Sequence, residues 1–125
     1  MTTWTADELQ RIGDAEELGV ASVRADGTLR SYVTIWMVRV GDDIYIRSMT
    51  SEGTPWYRRA KASGVGRVRA GGVERDVTFG EVDPDVHGDI DAAFHTKYDR
   101  FGPGPVGAVV GPTAHPVTFR LIPRD

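Results

Sequence analysis

Tyr32-Val33-Thr34-Ile35-Trp36-Met37-Val38-Arg39-Val40, followed by Gly41-Asp42-Asp43 and then Ile44-Tyr45-Ile46-Arg47-Ser48, is the stretch that decides the fold. Nearly every residue from 32 to 40 is apolar, aromatic or β-branched, which favours a strand. A strand with one solvated face alternates, and this one does not. It therefore predicts cover on both faces, one by the core and the other by a helix, a ligand or a second subunit. Gly41-Asp42-Asp43 supplies turn residues, so 44–48 returns as the next strand.

Upstream, Asp26-Gly27 separates strands predicted at 18–25 and 29–40 and gives a hairpin signal. Before them, Thr5 and Glu8 stand at capping-box spacing, with Trp4 and Leu9 at the staple positions. A short helix with Leu9 and Ile12 on its apolar face should end near Gly13, and 14–18 could add a turn. Downstream, Thr54 suits an N-cap, Pro55 the first helical position and Gly64 the residue past the C-terminus. Strands follow at 65–70 and 73–82, joined at Gly71-Gly72. Glu74, Asp76 and Thr78 alternate with Val73, Val77 and Phe79, giving the second of these a wet face. Ile90, Phe94, Tyr98 and Phe101 place a third helix at 89–101. A Gly-Pro-rich loop then leads to a last strand at 117–122. About six antiparallel strands with hairpin links would leave long bare edges in an open sheet, so a small barrel is the economical closure. The expectation is an α+β, β-dominated fold: a six-stranded antiparallel barrel with about three covering helices.

The chain has 125 residues and a mass of 13.7 kDa, the size of one domain spanning 1–125. Hydrophobic residues are 40% and charged residues 26%, ordinary for a folded soluble protein. The absence of cysteine excludes disulfides, thiolate metal sites, iron–sulfur clusters and cysteine nucleophiles. Apolar runs such as 35–38 are far shorter than the roughly 20 residues of a membrane span. The first eight residues have neither the basic nor the apolar region of a secretory signal, so the expected location is cytoplasmic.

Net charge is −3 but unevenly spread. Between 44 and 75 lie seven basic residues (Arg47, Arg58, Arg59, Lys61, Arg67, Arg69, Arg75) against Glu52 and Glu74. Between 76 and 99 lie seven acidic residues against Lys97 alone. This pattern fits an anion site in the basic segment, and equally two segments that face each other across the fold. Only Lys61 and Lys97 among the 15 basic residues are lysine, a compositional bias that weakens any argument from the choice of arginine.

The segment 44–59 carries the most chemistry. A strand end offers Arg47 and the Ser48 hydroxyl, and a small polar loop follows. A helix N-terminus then presents unpaired N–H groups beside Arg58 and Arg59. Hydroxyls, backbone donors and guanidinium forks are the parts that hold a phosphate, and Trp56 and Tyr57 could stack on a planar ring. The same residues also read as an ordinary capped helix with solvated arginines and a core Trp56. Thr34-Ile35-Trp36-Met37 reads as a ring pocket or as plain core. Other patterns fail. Gly102-Pro103-Gly104-Pro105-Val106-Gly107 follows a helix and contains prolines, so it is no dinucleotide turn. A calcium loop over 83–94 would have Phe94 where the bidentate carboxylate belongs. His87, His95 and His115 lack metal-ligand spacing. Glu16-Glu17 reads as a solvated face.

Four segments carry a family resemblance: Arg-Ala-Asp-Gly-Thr-Leu-Arg at 24–30, Tyr-Ile-Arg-Ser at 45–48, Trp-Tyr-Arg at 56–58 and Arg-Val-Arg-Ala-Gly-Gly at 67–72. Together with the element order they resemble a small, uncharacterised bacterial family within the FMN-binding split-barrel superfamily. That superfamily includes pyridoxamine-phosphate oxidase-like proteins and deazaflavin-dependent nitroreductases. The resemblance implies a split barrel and a homodimer with a flavin, FMN or a deazaflavin, in a groove between subunits. It implies a phosphate at Arg47, Ser48 and Arg58 or Arg59, and a ring along Thr34, Ile35 and Trp36 with Trp56 or Tyr57 over it. No metal is implied. The lysine that often follows the apolar strand in the oxidases is absent, with Trp36 and Met37 in that region. The implied function is an oxidoreductase acting on a small molecule. A non-enzymatic module for haem or flavin, or a member that binds nothing, is the alternative. Nucleic-acid binding through 47–75 is a third reading, and net acidity counts against it.

Overall fold

Seven antiparallel strands form one sheet in the computed structural model, which describes residues 3–49 and 54–124. They are β1 (Leu18–Ser22), β2 (Val33–Ile35), β3 (Met37–Val40), β4 (Asp43–Arg47), β5 (Val65–Ala70), β6 (Val73–Gly80) and β7 (Thr118–Pro123). Their order is β2-β1-β5-β6-β7-β4-β3, so β2 and β3 are the two edges although they are consecutive in sequence. Only Trp36 separates them. The 32–40 run thus switches from one end of the sheet to the other and curls it into a nearly closed barrel. This accounts for seven strands where the sequence pattern counts six.

The break at Trp36 has a visible cause. The Tyr98 hydroxyl accepts from the Met37 N–H at 3.2 Å, and the Met37 carbonyl lies 2.9 Å from it. The same hydroxyl donates to the Glu16 carbonyl at 2.7 Å. Side-chain groups therefore satisfy the Met37 backbone where the change of partner strand would leave it unpaired. Trp36 stacks on the Tyr98 ring at 4.2 Å between centroids and 9° between planes. Burial pushes the Tyr98 hydroxyl up to about 12, so it stays a proton donor.

Four helices lie among the described residues: α1 (Ala6–Asp14), α2 (Pro55–Ser63), α3 (His87–Tyr98) and α4 (Pro103–Gly107). α1 has the expected capping box. Glu8 N–H donates to Thr5 Oγ1 at 3.1 Å, and Thr5 N–H donates to Glu8 Oε1 at 2.9 Å. Its Leu9 and Ile12 close one end of the barrel interior. α2 begins at Pro55 and ends at Gly64, whose φ of 77° is left-handed, as the sequence predicts. α3 starts two residues earlier than expected and passes at 99–101 into a 3-10 turn. α4 is an extra short helix in the Gly-Pro-rich loop.

Two apolar clusters follow. The barrel interior holds Leu18, Val20, Met37, Ile44, Ile46, Val68, Val77, Phe79, Phe119 and Leu121. Outside the barrel, Ile90, Phe94 and Tyr98 of α3 pack on Val38 and Tyr45. Met37 and Val38 are both buried, on opposite faces of β3. The predicted double cover is real for β3, and a helix supplies it. β2 differs, since its pattern is exposed, exposed, half-buried. Arg47–Asp91 and Arg67–Asp76 pair the basic segment with the acidic one.

Candidate functional site

The exposed β2 edge borders a groove of about 280 Å³. Thr34, Ile35, Trp36, Arg47 and Trp56 all line it, so five of the nine residues read as cofactor-binding come together. Glu17, Val33, Met49, Thr54 and Val109 complete the lining. Val33 and Met49 are 39% and 53% exposed, and Phe101, at 5.5 Å from the Trp36 ring, is 42% exposed. These are the large exposed hydrophobic residues among the described ones; Val33 and Met49 line the groove, and Phe101 neighbours Trp36, which lines it too.

Thr54 lines this groove, whereas its partner Ser48 is fully buried and does not. Thr54 N–H donates to Ser48 Oγ at 2.8 Å, and Ser48 Oγ–H donates to Thr54 Oγ1 at 3.3 Å. Thr54 makes no side-chain cap on α2. Its hydroxyl is held by Ser48, which leaves the first N–H groups of α2 without that acceptor.

The other predicted residues lie elsewhere. Tyr57 is buried, stacks on Phe119 at 4.7 Å, and donates its hydroxyl to the Pro116 carbonyl at 3.0 Å. It lines a different pocket. Arg58 and Arg59 are exposed on α2.

Arg47 lies with its side chain fully buried. Nε donates to Thr118 Oγ1 at 2.9 Å and Nη1 to the Val109 carbonyl at 2.8 Å. Nη1 also pairs with Asp91 Oδ1, and Nη2 donates to His87 Nδ1 at 3.1 Å. Burial lowers the Arg47 pKa, with Asp91 opposing it. Burial alone would raise Asp91, but the hydrogen bonds from Arg47 and His115 override it and hold the carboxyl below its usual value. The guanidinium is thus committed inside the protein. Asp91, His87 and His115 are the partners that sequence reading missed. They stand 24 to 44 positions from their contacts, and no local pattern joins them.

Among the described residues no cluster of three or more His, Cys, Asp or Glu could hold a metal ion. No helix there is long and apolar enough to cross a membrane.

A nearly closed antiparallel barrel, split where one segment serves both edges and carrying an apolar groove at the split, defines the class of this protein. The solved structures it resembles share that architecture. One is an F420 reductase, at TM-score 0.58 and 18% identity, covering 92% of this chain and 90% of that one. Another is HutZ, the heme storage protein from Vibrio cholerae, at 0.63 and 14%, covering 93% and 87%. A third is a FAD-binding protein from Mesorhizobium loti, at 0.58 and 18%, covering 98% and 92%. No curated protein matches the sequence. A family model does, over residues 8–121: the chain belongs to DUF2255, described as an uncharacterized protein conserved in bacteria.

Proposed function

We propose that this protein is a flavin-type cofactor binder, for FMN or a deazaflavin, and an oxidoreductase acting on a small molecule. One observation carries the reading: an apolar groove is lined by Thr54, the N-cap of α2, whose side chain makes no cap bond to that helix. The residues suit the group. Thr34, Ile35, Trp36 and Trp56 offer apolar and aromatic surface to a planar ring. The N-terminus of α2, with Arg58 or Arg59 close in sequence, offers donors and charge to a phosphate. Arg47 serves this site as a buried wall. When bound, the cofactor supplies two-electron chemistry, and the protein supplies grip, orientation and exclusion of water.

The site is completed by a second copy. A volume of about 280 Å³ falls just below the usual range of about 300–1,000 Å³ for small-molecule sites. Exposed Val33 and Met49 line it, and exposed Phe101 packs beside Trp36 of its wall, the kind of clustered apolar patch that marks an interface. Light scattering at micromolar concentration should give twice the chain mass, and Val33→Asp should shift it to monomer. A wild-type monomer overturns the dimer.

The test of the cofactor is a titration of FMN, then of a deazaflavin, followed by flavin fluorescence. Saturable quenching is expected, weakened about tenfold or more in Trp56→Ala, a loss of stacking worth about 1.5 kcal/mol. Indifference to both flavins overturns the reading. A second reading, a non-enzymatic carrier, is favoured by one feature of the groove. Among the described residues that line it only Glu17 and Arg47 ionise, and Arg47 is already paired. A dithionite-reduced complex that passes electrons to no acceptor would select the carrier.

A further inference from the structure

The charge of the groove beside β2 is one-sided. Among the described residues, its lining beyond the aliphatic side chains and Met49 comprises Trp36 and Trp56, the hydroxyls of Thr34 and Thr54, and the ionisable groups of Glu17 and Arg47. The Arg47 charge is already committed, since its side chain is fully buried and paired with Asp91. Glu17 differs. It is exposed and forms no hydrogen bond or ion pair with any described residue. Its neighbour Glu16 is held by Arg100 at 2.6 Å.

The strand pairing explains where Glu17 stands. It directly precedes β1, whose Leu18 and Gly19 pair with Ile35 and Thr34. Carrying the same antiparallel register one residue further sets Glu17 beside Trp36. Its charge is felt there. Beyond burial, the negative charges of Glu16 and Glu17 help to push up the hydroxyl of Tyr98, whose ring stacks on Trp36.

An aromatic face carries the negative side of a quadrupole, and a carboxylate only accepts hydrogen bonds. Two indoles and an unpaired carboxylate therefore attract a cation and disfavour an anion. The apolar remainder of the lining favours a flat, carbon-rich body, and about 280 Å³ has room for two fused rings. We propose that Glu17 sets the charge preference of this groove and that the small molecule it selects is a planar organic cation, such as an N-alkylated heteroaromatic ring. The proposal rests on the groove as the site of the proposed function, and the uncharged ring of an oxidised flavin does not conflict with it.

The test is a titration of the full-length, ¹⁵N-labelled protein at about pH 7 with 1-methylquinolinium, quinoline and 1-naphthoate, followed through the indole N–H signals. The probes are alike in shape and differ in charge. Trp4 does not line the groove and is the internal control. 1-Methylquinolinium should bind about fivefold tighter than quinoline, which is neutral at this pH, and 1-naphthoate about threefold weaker. Both ratios should shrink toward one in Glu17→Gln, and in the wild type at about 0.5 M salt. Glu16→Gln removes a carboxylate that Arg100 already holds and should leave the ratios standing. Equal affinities, 1-naphthoate binding tightest, ratios unchanged in Glu17→Gln, or no movement of the Trp36 and Trp56 signals by any probe each overturns the proposal. The FMN titration reads the cofactor separately. Saturable quenching by FMN alongside equal probe affinities would keep the flavin and discard the cation.

Discussion

Replacing Arg47 by methionine is expected to lower stability by about 3 kcal/mol or more and the melting temperature by roughly 10 °C. Methionine fills much of the volume and keeps an apolar stem over Phe94, whose ring lies 5.5 Å from the guanidinium. It removes every donor. Thr118, the Val109 carbonyl, His87 and Asp91 each lose a partner. Asp91 then keeps only His115 and the Gly111 backbone, among the described residues, to offset its partial burial. Leaving one member of such a pair uncompensated costs more than the pair itself contributes. Arg47→Met/Asp91→Asn should therefore recover part of the loss, since the amide is neutral and its oxygen can still accept from His115.

Acid sensitivity gives a second readout of the same pair. The folded Asp91 carboxyl is held below its usual value. Its contribution is therefore complete above about pH 4 and lost as pH falls through the lowered folded value. Without Arg47 the loss should begin at higher pH. A single variant that melts within experimental error of the wild type would show that Arg47 is not committed as its geometry indicates. The prediction also bears on the groove. Weaker flavin binding by an Arg47 variant reports on a phosphate contact only if the fold is shown to survive.

Local chemistry made most of the fold legible. Gly71-Gly72 and Asp26-Gly27 announce their turns, and β5 matches its predicted bounds residue for residue. α1 and α2 start where Thr5 and Pro55 say they should. What was not legible depends on residues distant in sequence. The break at Trp36 is made by the Tyr98 hydroxyl, 61 positions beyond Met37. Thr54 reads as a side-chain cap, but Ser48 engages its hydroxyl and Thr54 makes no such cap on α2. The candidate groove was half visible. Thr34, Ile35, Trp36 and Trp56 could be named from the sequence, while Val109 reaches it only through the loop after α4. Arg47 looked like an exposed anion ligand because its partner Asp91 lies in the acidic segment, whose placement no pattern near Arg47 discloses.

Alanine at Gly66 should destabilise the protein by about 3 kcal/mol or more, although it adds a single methyl. Gly66 sits in β5, opposite Ser22 in β1 and Val77 in β6. A Cβ here would press into the Ala21 carbonyl oxygen and stand 2.9 Å from two atoms of the Phe79 ring. The carbonyl is backbone of the neighbouring strand and cannot withdraw without disturbing the β1–β5 ladder. Phe79 is little freer, since it packs against Phe119 at 5.4 Å and Phe119 stacks on Tyr57. Space is what requires glycine here: a close approach of two strands where the barrel bends. Gly27→Ala is the informative control. Its φ is +87° with nothing within 4 Å of the added carbon, so it should cost only about 1–2 kcal/mol from the backbone conformation. Equal thermal stability of the two variants would mean that the strands can separate at Gly66 at little cost.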